Sequence, residues 1–201
     1  MLKQKIKIIL ASESKIRKKI LEDANLDFEA IAPDFDEDLY KKNYPHLAIK
    51  DLAMALARGK ALSISSRFPK ALVIGSDQIC EFEGAKIDKS KDANEAFLQL
   101  KSMSGKTHFQ NNAVIIAKNN KVIFKKFSKV KLKLRKISDE EISCYINIDK
   151  PFGSAGSYKY ESFGKHLFAK IKGDYYSILG LNLQEILNFL HKRKYIKIWN
   201  S

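Results

Sequence analysis

Ala71-Leu72-Val73-Ile74-Gly75-Ser76-Asp77-Gln78-Ile79-Cys80 is the stretch on which the fold turns. Four apolar residues run straight into Gly75, a small polar residue, a carboxylate and an amide. A short, continuously apolar segment reads as a buried strand, and Gly75 marks a position where backbone can approach a ligand closely. Asp77 then falls at the strand end, on a rigid element at the edge of the core, where α/β folds usually hold their chemistry. An Asp that merely opens a turn would fit the same residues, so the surrounding chain has to decide.

Upstream, Lys5 to Leu10 reads as a first strand, followed by Ser12 and Ser14. Ile16, Ile20, Leu21 and Ala24 then recur at helical spacing, with a serine placed as N-cap. A second helix covers roughly 47–62, with Ile49, Leu52, Ala53, Leu56 and Ala57 on one stripe. Downstream, a third helix runs from about Asp92 to Lys101, with Asp92 as cap and Glu95 three residues later. Val114–Ala117 and Val122–Phe124 form a hairpin around Lys118-Asn119-Asn120-Lys121. Val130, Leu132 and Leu134 alternate with Lys129, Lys131, Lys133 and Arg135, a half-buried strand with one wet face.

Ser138-Asp139-Glu140-Glu141 is a capping box leading into a helix through Ile146. Residues 166–171 and 176–181 read as strands joined by a Gly173-Asp174 turn, and a closing helix spans about Leu183 to Lys194. Prolines 33, 45, 69 and 151 fall at element boundaries, with no repeat, low-complexity tract or linker. Strands interleaved with helices, hairpins and crossovers together, make an α/β fold with a mixed sheet.

Length and composition narrow the class. A chain of 201 residues suits one domain, or two lobes sharing a core, and 45% hydrophobic residues exclude a disordered protein. The two cysteines, Cys80 and Cys144, lack CxxC spacing, which fits a reducing compartment without disulfides or structural zinc. No segment approaches the roughly 18 apolar residues that span a bilayer, so a soluble, cytoplasmic protein with no membrane partner is expected. A net charge of +14 invites a nucleic-acid reading. Lysine supplies most of that charge and is spread along the chain, whereas base-reading interfaces lean on arginine forks. Nucleic acid is therefore not the expected partner.

Four sets of residues can carry chemistry. The Ser12-Glu13-Ser14 turn before a helix offers hydroxyls and free amides to an anion, with Arg17 one turn in; an ordinary serine cap uses the same residues. Lys60 extends the Leu52–Leu56 row inward, either to snorkel or to meet a phosphate. Lys89, just before the third helix, is a similar candidate. The acidic run Asp34, Asp36, Glu37 and Asp38 is either a solvated loop or a set of oxygen ligands for Mg²⁺ or Mn²⁺. Gly153 to Glu161 combines small residues with a tyrosine and a carboxylate, suggesting backbone close to a ligand or to another strand, or a flexible loop. His46, His108, His166 and His191 show no metal-cluster spacing.

Taken in order, these pieces resemble the Maf family of nucleotide pyrophosphatases over nearly the whole chain. Leu10-Ala11-Ser12-Glu13-Ser14-Lys15-Ile16-Arg17-Lys18-Lys19-Ile20-Leu21 is similar to the family's LASxSPRRxxLL opening. Asp36-Glu37, Lys60-Ala61, Gly75-Ser76-Asp77-Gln78, Lys89, Ser104 to His108, Ala155 to Glu161 and Gly173 to Leu181 follow in family order. Ile16 replaces one family arginine, Lys15 and Ser90 replace prolines, Asn112 stands where threonine is common, and Asn182 stands where the family has proline.

The resemblance implies a single Maf-like domain over 1–201, with no linker and an elongated, curved mixed sheet flanked by helices. Two lobes would share that sheet around a deep cleft, as in ITPase-like folds. It implies hydrolysis of a nucleoside triphosphate to the monophosphate and pyrophosphate, Mg²⁺ or Mn²⁺ as cofactor, and a homodimer. Asp77, Lys60 and Lys89 are the implied catalytic residues; Ser12, Ser14, Arg17, Gln78 and Glu161 would bind substrate, and Glu37 and Asp77 the metal. The Asp77-Gln78 pair is similar to a subgroup associated with 7-methyl-GTP. A nucleotide-binding regulatory protein with little turnover is the alternative.

Overall fold

In the computed structural model, which describes residues 2–198, the chain begins with β1 (Lys3–Gln4), β2 (Ile8–Ala11), α1 (Lys15–Asp23) and β3 (Phe28–Ile31). There follow α2 (Glu37–Asn43), α3 (Ile49–Ser65), β4 (Leu72–Phe82), β5 (Ala85–Ile87) and α4 (Ala93–Met103). Next come β6 (Thr107–Lys118), β7 (Lys121–Leu134), α5 (Asp139–Asp149) and a 3₁₀ turn (Phe163–Leu167). The last elements are β8 (Phe168–Lys172), α6 (Tyr175–Ile178), α7 (Leu183–Lys192) and β9 (Ile196–Lys197).

The central sheet has the strand order β3-β2-β4-β6-β7-β8, with β5 paired to β4. β2 runs parallel to both β3 and β4, whereas β5 and β8 pair antiparallel, so the sheet is mixed and the α/β expectation holds. β1 pairs separately with β9. The expected hairpin and the expected alternating strand are one feature: Val130–Leu134 continues β7. Asn119 and Asn120 make its turn, both at left-handed φ (49° and 56°), as a two-residue hairpin requires.

The chain divides into two compact units. One draws on the chain up to Asp77, on Asn112–Ser128 and on the chain from Gly180; the other is Gln78–Asn111 with Lys129–Leu179. In the first, Ile9, Ala11, Ile64, Ala71 and Val73 form a core cluster with Ile31 and Phe68 packed against it. α3 buries a full stripe from Leu52 through Ser65. At Gly75 that helix lies so close that a Cβ would sit 2.3 Å from the Ala57 carbonyl oxygen and 2.8 Å from the Ala61 nitrogen. The backbone that needs this glycine is therefore α3, where the sequence pointed to a ligand.

The second unit is built on Phe82, Leu100, Met103, Leu132, Leu134, Ile142 and their neighbours. Its α5 starts with the expected capping box between Ser138 and Glu141. Two expectations change. Residues 176–181 are not a strand: Asp174 accepts a hydrogen bond from Ser177 N at 2.6 Å and opens α6 instead. The acidic run is not a loop throughout either, because Asp36 caps α2 and places Glu37 in its first turn.

Candidate functional site

The first unit gathers six of the candidate residues, and the strand register explains how. β2 and β4 run parallel with Ala11 opposite Gly75, and β2 ends there, so Ser12 leaves the sheet beside the level of Asp77. β4 itself runs on to Phe82, which puts Asp77 in mid-strand and not at the strand end that the sequence suggested. α3, pressed against Gly75, carries Lys60 to that level. Lys60 Nζ lies 2.7 Å from Asp77 Oδ1 and 2.9 Å from Glu37 Oε1. Lys60 and Asp77 are each only 6% exposed, so this lysine does not snorkel; it is a buried cation between two carboxylates.

Arg17 joins the cluster from α1. Ser14 caps the helix by accepting from Arg17 N, and Ser12 Oγ accepts from Ser14 N at 3.2 Å, which makes the turn a closed hydroxyl–amide motif. The guanidinium donates from Nε to Gly180 O at 2.8 Å and from Nη1 to Ser76 O at 3.0 Å. Its Nη2 donates to no group among the described residues, leaving part of the fork for a ligand. Burial lowers the Arg17 pKa, while the charges of Asp77 and Glu37 raise it. An arginine stays protonated regardless. Two cations therefore face two anions.

Glu37 and Asp77 are hard oxygen donors, and among the described residues no group of three His, Cys, Asp or Glu side chains forms a metal cage. That donor set suits Mg²⁺ or Mn²⁺, which take one or two carboxylates and complete their shell with phosphate oxygens and water.

The second unit holds the other three candidates. Gln78 spends both amide N–H groups within the chain, donating to Ser177 O at 3.1 Å and Ile178 O at 2.7 Å. Lys89 is exposed, and so is Glu161. No hydrogen bond or ion pair joins these three to one another among the described residues. The segment carrying Glu161 is held firmly, because Asp149 accepts from Ser162 Oγ at 2.7 Å and Gly164 N at 3.1 Å. Gly156 lies against β4, where a Cβ would be 3.0 Å from Cys80 Sγ, so its small residue serves a close strand contact. His108 is buried with Nε2 2.9 Å from the Tyr158 hydroxyl, and desolvation pushes its pKa down to about 4.

Sequence reasoning passed over Ser76 and Gly180, which the guanidinium of Arg17 engages through their carbonyls. A backbone acceptor 163 positions away leaves no trace in residue type.

The sequence profile of the Maf-like protein family matches residues 7–193. A protein of Ruegeria sp. (strain TM1040), named nucleoside triphosphate pyrophosphatase, is 37% identical over 187 residues, covering 91% of this chain and 94% of its own. One of Caulobacter vibrioides with the same name is 39% identical over 187 residues, again covering 91% and 94%. Among solved structures, the Staphylococcus aureus Ham1 protein covers 93% of this chain and 99% of its own at 13% identity, with a TM-score of 0.46, a likeness too loose to carry weight.

Proposed function

Because the chain belongs to the family of Maf-like proteins, we propose that it is a nucleoside triphosphate pyrophosphatase releasing the monophosphate and pyrophosphate. Relatives at 37% and 39% identity bearing that name support the reading. The observation that carries it is the buried Lys60 ammonium held against Asp77 and Glu37.

Phosphoryl chemistry asks little covalent work of a protein; it asks for charge and position. Arg17, Ser12 and Ser14 hold phosphate oxygens, and Lys60 offsets their charge. Asp77 orients the attacking water and takes its proton. The water oxygen bonds to the α-phosphorus as the α–β bridging bond breaks, and pyrophosphate leaves with that electron pair. Glu37 and Asp77 would hold Mg²⁺ or Mn²⁺, which would draw charge from the phosphate oxygens. Lys89 is assigned as a further catalytic lysine, and Gln78 and Glu161 as substrate-binding. The whole chain acts as one Maf-like domain, in the cytoplasm and as a homodimer.

A narrower reading takes 7-methyl-GTP as the substrate, and one observation favours the guanine part of it, with no bearing on the methyl group. With both amide N–H groups committed, Gln78 presents only an acceptor, which suits the N1–H and 2-amino donors of a guanine. The test is pyrophosphate release from a panel of canonical and methylated triphosphates with Mg²⁺ or Mn²⁺. Release from one or a few supports the enzyme. Binding without release indicates a regulatory nucleotide-binding protein.

A further inference from the structure

Asp77 is fixed by three independent groups, one of which no functional argument has yet used. Its Oδ1 meets Lys60, and the carbonyl of the preceding residue, Ser76, accepts from Arg17. The third is Asn112, only 1% exposed, whose Nδ2 donates to Asp77 O at 3.1 Å and to Ser76 Oγ at 3.2 Å. The peptide units on both sides of the carboxylate are thus pinned by side chains from other elements.

The orientation of the Asn112 amide is forced. A carbonyl oxygen only accepts, so Nδ2 must face Asp77 O and Oδ1 must point away. Ser76 Oγ lies 2.8 Å from both Ala113 O and Gly180 O, so its single proton goes to a carbonyl and its lone pairs are free for Asn112. Asn112 Oδ1 is then left buried without a hydrogen-bond partner among the described residues.

We propose that Asn112 is a positioning residue for the reaction, aiming the Asp77 carboxylate by holding its own carbonyl and the Ser76 hydroxyl together. The proposal rests on the pyrophosphatase reading for its kinetic consequence but not for its structural one. Threonine, common at this position in the family, supplies a hydroxyl donor; a residue with no donor would remove both contacts, to Asp77 O and to Ser76 Oγ.

The test uses Asn112→Leu, which keeps the bulk without a donor, and Asn112→Ala in the full chain. With a triphosphate that the wild type hydrolyses, kcat should fall at least about tenfold while KM stays within about twofold, the pattern of a misaimed group. A second readout needs no turnover. In a denaturation cycle with Lys60→Met, the combined effect on the unfolding constant should fall short of the product of the single effects by about fivefold or more, since both substitutions release the same carboxylate. Unchanged kcat, or an equal rise in KM, overturns the proposal, as does strict additivity in the cycle. Failure of both variants to fold also overturns it, for the network would then support the fold rather than aim one group. A wild type that hydrolyses no triphosphate removes the pyrophosphatase reading alone, and the cycle still decides the role of Asn112.

Discussion

Replacing Lys60 with methionine keeps the side-chain length and removes the charge, which isolates the ion pair from packing. The ammonium lies 2.7 Å from Asp77 and 2.9 Å from Glu37, and its side chain is 7% exposed. Breaking a buried pair by deleting one partner leaves an uncompensated charge and typically costs about 3–5 kcal/mol. Glu37 is 35% exposed and can rehydrate, so Asp77 carries most of that cost. At about 2–4 °C per kcal/mol for a chain of this size, the melting temperature should drop by roughly 6–20 °C. A denaturant series gives the same quantity through the midpoint at constant slope. Mg²⁺ sharpens the test. The neutral methionine side chain would no longer repel a dication on the same carboxylates, so Mg²⁺ alone should stabilise the variant more than the wild type. A loss below about 1 kcal/mol, the range of exposed pairs, would refute the reasoning, because the bridge would then be behaving as a surface contact.

Asp77→Asn should lower kcat by at least about 10²-fold with the fold intact, the usual scale for losing a general base; unchanged turnover in a folded variant would remove Asp77 from that role. Gly75→Ala should destabilise by about 1–3 kcal/mol and impair activity, since its methyl would meet the Ala57 carbonyl at 2.3 Å and push α3, with Lys60, off the strand. Thermal melts and turnover check it together, and a neutral substitution would show that α3 yields without consequence. His108, whose pKa is pushed down to about 4, binds a proton in the unfolded chain below 6.5 but not in the folded one. Its contribution is therefore present above pH 6.5 and is lost on acidification towards pH 4, by about 3 kcal/mol in all. His108→Gln should flatten that part of the stability profile, and parallel profiles would assign the loss elsewhere.

The parts of the site legible in the sequence were those with a local signature. Lys60 could be read because it ends a helical row, and the buried row then delivered it to the core side of α3. Ser14 could be read as a cap because the apolar period began just after it, and it does accept from Arg17 N. What failed was weighed against a stronger local habit. Tyr175, Tyr176 and Ile178 favour strands, but one Asp174 cap outweighed them over a single turn. α2 has no buried residue, so no apolar period announced it, and only its cap and acidic first turn define it. Gly75 was correctly marked as a close approach, but its partner is α3 and not the ligand that the sequence suggested. The approaching partner lies on another element, and so do the Gly180 and Ser177 carbonyls that occupy Arg17 and Gln78.

The cluster's charge count leads to one more expectation. Arg17 and Lys60 stand against Asp77 and Glu37, so the group carries no net charge to attract a polyanion. Lys60, moreover, has two of its three N–H donors engaged by the carboxylates, and turning the ammonium wholly towards the phosphates would strip both of their counter-charge. A divalent cation on Glu37 and Asp77 would remove that conflict, since the carboxylates would keep a partner while the ammonium was released to the substrate. Nucleotide and cation should therefore bind cooperatively, each tightening the other by the same factor, as linkage requires. Couplings of about 1–3 kcal/mol are usual, so titration calorimetry with a non-hydrolysable triphosphate should show its affinity rising about 5- to 150-fold in saturating Mg²⁺. Chelation of Mg²⁺ by the triphosphate in free solution is subtracted with a Glu37→Gln control, in which the protein-borne part of the coupling should shrink. Equal coupling in both proteins would place the effect in the nucleotide alone and leave Lys60 with no exchange to make.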